Sequence, residues 1–334
     1  MRAVVVDAFG APGLAPVREI PKPAAGPGEV LIRVEAVAAN FVDILVLEGR
    51  YQFLPERPFT PGKGPAGVID AVGEGVTRVR PGDRVLCMAE SGGYAQFAIG
   101  PESQTYLLPD AMDFAEAASL SLAADTAWVA LMERGRLAPG ETVLVLGASG
   151  AVGAAALQIA RAKGARTIAG VSSEAGRRRA LAAGADAVVD LAAEDLRESL
   201  RAQVRAVTDG AGADIVLDML GGDVFAAALR AVAWRGRVVV VGFAAGEIPT
   251  LKVNYLMLKN IEVSGLQVSD YRKRMPDLMR ACFEDVFALY EAGALKPSPV
   301  TRYPLESYAE ALEAVRGRRV SGRAVIEPWS DVGI

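Results

Sequence analysis

The sequence predicts a two-domain α/β protein in which a β-rich domain opens the chain and a doubly wound parallel sheet follows. Three observations carry this. The chain has 334 residues, enough to bury two cores. Up to about Pro109 it consists of short apolar runs punctuated by Pro-Gly and Gly-rich turns. From Thr142 onward, strand formers alternate with helical stretches, as repeated strand-helix units around a parallel sheet require.

In the first domain the runs Val30 to Val37, Gly67 to Val72 and Arg84 to Cys87 read as strands of a barrel-like fold. Ala115 to Arg134, rich in Ala, Leu and Glu, reads as helix and ends before the Pro139-Gly140 turn. Strands are then expected at Thr142 to Leu146, Thr167 to Val171, Ala187 to Asp190, Ile215 to Met219 and Arg237 to Val241, with Ile261 to Leu266 as a sixth. Their near-continuous Val, Leu and Ile content suits strands buried on both faces. Asp277 to Ala292 and Leu305 to Val315 read as helices. Arg323 to Glu327 is a last strand without a helical partner, so the end of the chain is expected to return to the first domain. The expected divisions are 1–115, 116–266 and 267–334.

Composition narrows the chemistry. A formal charge of -4 gives no electrostatic footprint for a polyanion, so no nucleic-acid partner is expected. The opening MRAVVVDAFG lacks the pattern of a secretory leader, and no run is long enough to span a bilayer. A soluble, cytoplasmic chain without membrane attachment is therefore expected. Cys87 and Cys282 are the only cysteines and read as small packed hydrophobes. Histidine is absent, which removes the commonest general acid/base and the commonest metal ligand. Protons must come from Tyr, Lys, a carboxylate, water or a cofactor.

The strongest chemical signal is VLVLGASGAVGAAALQIARAKGA, a strand, a glycine-rich turn and an Ala-rich helix in immediate succession. Read as the dinucleotide fingerprint G-x-G-x-x-G, its positions are Ala148, Gly150 and Gly153, with Ser149, Ala151 and Val152 between them. Gly150 lets the backbone approach a pyrophosphate, which the helix N-terminus then meets with free N–H groups and its positive dipole end. An NAD site places Asp or Glu at the end of the second strand for the ribose 2′-OH. This chain has Ser172-Ser173 there, followed by Arg177 and Arg178, which favours the 2′-phosphate of NADPH. The competing reading is a solvated helix face on which Glu174 pairs with Arg178.

Four segments, GEVLIRVEAVAANFVDI, PFTPGKGPAGVIDAVGEGVTRVRPGDRV, GASGAVG and VVVVGFAAG, occur in the order and spacing of a known family. Through them the chain resembles the medium-chain dehydrogenase/reductase superfamily, within it the zinc-free quinone oxidoreductases related to zeta-crystallin, from residue 1 to about Pro328. The resemblance implies a GroES-like catalytic domain interrupted by a Rossmann domain, an active site in the cleft between them, and a homodimer formed largely through the cofactor domain. It assigns Asn40, Asp43 and Tyr51 to the cleft and Thr126 to the nicotinamide. Gly221 and Gly222, and Gly242 with Phe243, would line the cofactor's path. Asn40 stands where zinc-dependent relatives have a Cys ligand, and Gly62 to Gly67 replaces their G-H-E-x-x-G pattern, so no metal site is expected.

Two departures from the quinone oxidoreductases stand out. Lys63 and Gly64 replace a small or hydroxylated residue and an acid, and Leu191 replaces a tyrosine that flanks the adenosine phosphate. Lys63 either stabilises negative charge developing on a carbonyl oxygen or is solvated or paired. Tyr51 either supplies a proton, as a tyrosine does in related enoyl thioester reductases, or packs for shape. The expected reaction is hydride transfer from NADPH to a quinone. The alternatives are reduction of an enone, a 2-alkenal or an enoyl thioester, and a non-catalytic RNA-binding or structural role of the zeta-crystallin type. The last rests only on the basic runs Arg177 to Arg179, Arg272 to Arg274 and Arg316 to Arg319, each set among acids.

Overall fold

A computed structural model describes residues 1–330. The chain forms two compact units: Met1–Leu122, Ser269–Phe283 and the segment from Pro297 make up one, and Ala123–Val268 with Glu284–Lys296 the other. The expected divisions fell near 115 and 266, and residues 284–296 were given to the returning segment. They cluster instead with the second unit. The helices Phe114–Trp128 and Pro276–Glu291 each run through a division, so no break in periodicity marks it.

In the second unit six parallel strands are ordered Ala187–Asp190, Arg166–Val171, Thr142–Leu146, Ala213–Asp218, Val232–Val240, Glu262–Gly265. The order reverses beside Thr142–Leu146, as a doubly wound sheet demands. Val143, Leu144, Val145 and Leu146 are wholly buried, as are Val216 and Leu217, because helices cover both faces. Val232–Val240 begins five residues before the expected Arg237, since the Ala-rich helix Gly222–Ala231 gives way directly to extended chain.

The first unit is built on a sheet ordered Val300–Pro304, Arg323–Glu327, Glu29–Ala38, Ala66–Val72, Arg84–Cys87, Thr105–Leu107, with Phe97–Pro101 also paired to Glu29–Ala38. The final strand Arg323–Glu327 lies antiparallel to Glu29–Ala38, so the chain end does return to the opening sheet. Val30, Ile32, Ile69, Val85 and Cys87 form one core of this unit. Cys87 and Cys282 are both buried thiols. Where one helix was expected over Ala115 to Arg134, an α-helix to Trp128 is completed by a π-helical turn, Val129–Arg134. Among the described residues, no helix is long and apolar enough to cross a membrane.

Candidate functional site

The strand Thr142–Leu146 ends in a turn closed by the Gly150 N–H donating to the Gly147 carbonyl at 3.0 Å. The helix Ala151–Ala162 starts at once, with Gly150 as its N-cap. A glycine cap has no side chain to offer, and the N–H groups of Ala151, Val152 and Gly153 have no acceptor inside the helix. Ser149, Gly150, Ala151 and Val152 reach the surface, whereas Ala148 and Gly153 are buried. The two glycines do different work. A Cβ on Gly153 would stand 2.6 Å from both the Ala148 Cα and the Gly147 oxygen, so glycine is required for the helix to sit on its strand. A Cβ on Gly150 would meet nothing nearer than 3.4 Å, so the space over that residue is open. Open donors over a glycine surface fit a pyrophosphate.

At the tip of the second strand Ser172 and Ser173 are exposed, and no carboxylate stands with them before Glu174 opens the next helix. Ser173 caps that helix, its Oγ accepting from the Gly176 N–H at 3.1 Å. Arg178 lies 4.0 Å from Glu174, both exposed, the pairing that the solvated-face reading anticipated. Arg177 is exposed and has no ion pair among the described residues.

After the fourth strand, Gly221 has φ +74°, and a Cβ there would stand 2.7 Å from the Glu247 carbonyl oxygen. Gly222 follows, also at positive φ. Sequence reasoning missed the residue beneath this turn. Asp218 is fully buried, its Oδ1 accepts from the N–H groups of Leu220 and Gly221 at 2.9 and 3.0 Å, and its buried Oδ2 has no hydrogen-bond partner among the described residues. Burial pushes this carboxyl above its ordinary value, against the pull of those two N–H donors. Gly242 follows the fifth strand, with Phe243 partly exposed beside it. Thr126 is buried in the helix Phe114–Trp128, its hydroxyl donating to Asp125.

The first unit gathers a second set of groups. Asn40 caps the helix Phe41–Leu47, and Asp43 in its first turn accepts from the Asn40 N–H and from the Tyr94 hydroxyl, each at 2.9 Å. Both side chains of this sequence-predicted pair are committed to the fold. Asn40 donates to the Ala38 carbonyl and accepts from Arg323 at 2.6 Å. Burial raises the Asp43 carboxyl to about 6, although the Asn40 N–H, the Lys63 charge and Tyr94 pull it down.

Lys63 is buried and ion-paired with Glu90, whose other oxygen accepts from the buried Arg272 guanidinium at 3.1 Å. Burial opposes the charge on Glu90, but Lys63 and Arg272 prevail and hold its carboxyl below the ordinary value. The Lys63 ammonium also lies 5.5 Å from the centre of the Tyr51 ring. Arg272 thus leaves the basic run in which the sequence shows it. Arg316 likewise pairs with Glu48 and Glu313. Glu90, Tyr94, Arg272 and Arg323 were not legible as site residues, since 182 positions separate Glu90 from Arg272 and no local spacing joins them. Among the described residues, no group of three or more His, Cys, Asp or Glu side chains is placed to hold a metal ion.

Two family models match the chain: an alcohol dehydrogenase GroES-like domain over residues 26–110 and the zinc-binding dehydrogenase domain over residues 151–284. The chain is 34% identical to the human quinone oxidoreductase over 331 residues, covering 98% of this chain and 97% of that one. It is also 34% identical over 303 residues to a quinone oxidoreductase-like protein 2 homologue of Nematostella vectensis, covering 90% and 82%. This chain belongs to the quinone oxidoreductase branch of the medium-chain dehydrogenase/reductase superfamily. Its fold matches the crystal structure of the Escherichia coli quinone oxidoreductase complexed with NADPH, at a TM-score of 0.89 and 26% identity over 98% of this chain and all of that one.

The departures from the quinone oxidoreductase pattern have local causes. Gly64 has φ +66°, and a Cβ there would lie 3.0 Å from Leu122 Cδ1, so the acid usual at this place would be strained as well as crowded. Gly62, at φ +95°, leaves only 2.4 Å between its would-be Cβ and the Tyr94 ring. Lys63 is therefore held between two positions that only glycine suits. Leu191 is buried and packs against Gly170, whose would-be Cβ lies 3.3 Å from it, so it serves the sheet edge rather than a ligand. The π-system that a tyrosine would offer there is absent.

Proposed function

We propose that this chain is an NADPH-dependent oxidoreductase that passes a hydride to a quinone without a metal ion. The observation that carries the proposal is the uncapped helix N-terminus at Gly150, with its open donors and the uncluttered glycine surface. The absence of a carboxylate at Ser172-Ser173 and an exposed Arg177 without an ion pair among the described residues support a 2′-phosphorylated cofactor. The NADPH bound to the Escherichia coli neighbour is in keeping with this.

Bound NADPH supplies the hydride. The chain's own share is placement and charge. The first-turn N–H groups of Ala151, Val152 and Gly153 would hold the pyrophosphate, and Arg177 the 2′-phosphate. Gly221, Gly242 and Phe243 would leave the cofactor's path clear. In the first unit Lys63 is a fixed positive charge beside Tyr51, suited to negative charge arising on an acceptor oxygen. Asn40 and Asp43 shape this region rather than react, because their polar atoms are already bonded within the unit.

The pairing of Tyr51 with Lys63 favours a second reading, reduction of an enone, a 2-alkenal or an enoyl thioester, in which Tyr51 gives the proton. NADPH oxidation followed with separate panels of quinones, alkenals and crotonyl thioesters tests both. Turnover with quinones alone supports the first, turnover with alkenes that is lost in Tyr51→Phe supports the second, and failure with every panel rejects hydride transfer altogether.

A homodimer completes the proposal. The edge strand Glu262–Gly265 has one free side, and Ile248, Val253, Met257 and Leu258 are each more than two-thirds exposed on the same unit. Light scattering on the full chain tests it, a monomer mass being the contrary result.

A further inference from the structure

We infer that Tyr51, Phe53 and Lys273 form a subsite for a planar conjugated acceptor that carries an anionic substituent. The inference rests on the proposed reduction of a conjugated carbonyl compound and adds the charge of the molecule reduced. Tyr51 and Phe53 meet edge to face, with ring centres 6.3 Å apart and planes at 68°, which leaves ring surface available to a third flat system. Phe53 is 49% exposed and Leu54 beside it 40%, so apolar surface adjoins the Tyr51 ring. Each ring has an ammonium against it: Lys63 lies 5.5 Å from the Tyr51 centre and Lys273 lies 5.7 Å from the Phe53 centre.

The two lysines differ in what balances them. Lys63 is buried and ion-paired with Glu90, a carboxylate that it shares with Arg272. Lys273 is exposed and ion-pairs with no carboxylate among the described residues, although Asp270 and Asp277 stand three and four positions away along the chain. An unmatched cation at the rim of an aromatic surface selects for a ligand that brings its own negative charge. A flat ring would lie against Phe53 and Tyr51, and a carboxylate, sulfonate or phosphate on it would meet Lys273. Lys63 cannot play that part without giving up Glu90.

Binding to the full chain separates this from simple stickiness. Naphthalene-2-sulfonate and its neutral counterpart naphthalene-2-sulfonamide share the ring and differ in charge. Calorimetry is expected to show the sulfonate bound at least tenfold more tightly, with the preference shrinking as salt is raised. Lys273→Gln should abolish the preference while keeping the affinity for the sulfonamide and the melting temperature, and Phe53→Ala should weaken both ligands. Arg177→Ala should leave all of this unchanged, which excludes capture of the sulfonate at the cofactor's phosphate position. Equal affinity for the two ligands, no binding of either, or a preference that survives Lys273→Gln would overturn the inference. Turnover of 1,2-naphthoquinone with and without a 4-sulfonate, read as KM, addresses the reaction separately. Equal KM values with good turnover would leave the proposed reaction standing and the subsite refuted. Selective sulfonate binding without any turnover would do the reverse.

Discussion

Lys63 and Glu90 form an ion pair in which the lysine side chain is only 6% exposed, and Arg272, at 1%, shares the same carboxylate. One anion therefore serves two cations that have little access to water.

Glu90→Gln should destabilise the first unit strongly, by about 3 kcal/mol, because both cations would remain buried without their counter-charge. Adding Lys63→Met should recover part of the loss. Urea unfolding of the single and double variants measures this, and a Glu90→Gln protein with wild-type stability would show the pair to be superficial.

The two fingerprint glycines should separate fold from binding. Gly153→Ala is expected to lower the melting temperature, since its Cβ would lie 2.6 Å from backbone atoms that cannot yield. Gly150→Ala should melt as the parent does but bind NADPH more weakly, because its Cβ occupies only the open space above the turn. Thermal melts beside NADPH titrations followed by nucleotide fluorescence give both readings.

Arg177→Ala should weaken NADPH about tenfold and leave NADH affinity unaltered, as loss of a 2′-phosphate contact requires. Arg178→Ala should change neither, because Arg178 already faces Glu174 on a solvated surface. Equal effects of the two substitutions on both nucleotides would contradict this assignment.

Asp43 gives a pH dependence with a definite sign. Its carboxyl is raised from 3.8 to about 6 by burial, so the folded state holds the proton that the unfolded state releases first. The stability it contributes is complete below 3.8 and is lost as the pH rises through about 6. Asp43→Asn keeps an acceptor for the Asn40 N–H but cannot ionise. Relative to the parent, it should gain about 3 kcal/mol between pH 4 and 7. Denaturant titrations of both proteins across that range check the difference, and a constant offset would refute it.

Much of this was legible in the sequence because it depends on local repetition. The strands Thr142–Leu146, Ala187–Asp190, Arg84–Cys87 and Arg323–Glu327 stand where their apolar runs predicted them. The turn from Ala148 to Gly153 was recognisable because a strand, a tight turn and a helix must follow one another within a few residues, and only glycine fits at Gly153. Less of the first unit's site could be read. Asn40, Asp43, Tyr51 and Lys63 were found through family likeness, but not the groups that hold them. Tyr94 reaches Asp43 from 51 positions away, and Arg323 reaches Asn40 from 283.

The sequence alone determined the alternation of strand and helix, the glycine turn, the lack of histidine and the lack of an acid before Glu174. Each is a property of neighbouring residues or of composition. Only the tertiary structure decided that Lys63 and Arg272 meet Glu90 while Lys273 meets no carboxylate among the described residues, and that Asp43 is buried deeply enough to raise its carboxyl from 3.8 to about 6. Charge balance and burial depend on which distant segments the fold brings together, and no local pattern encodes that.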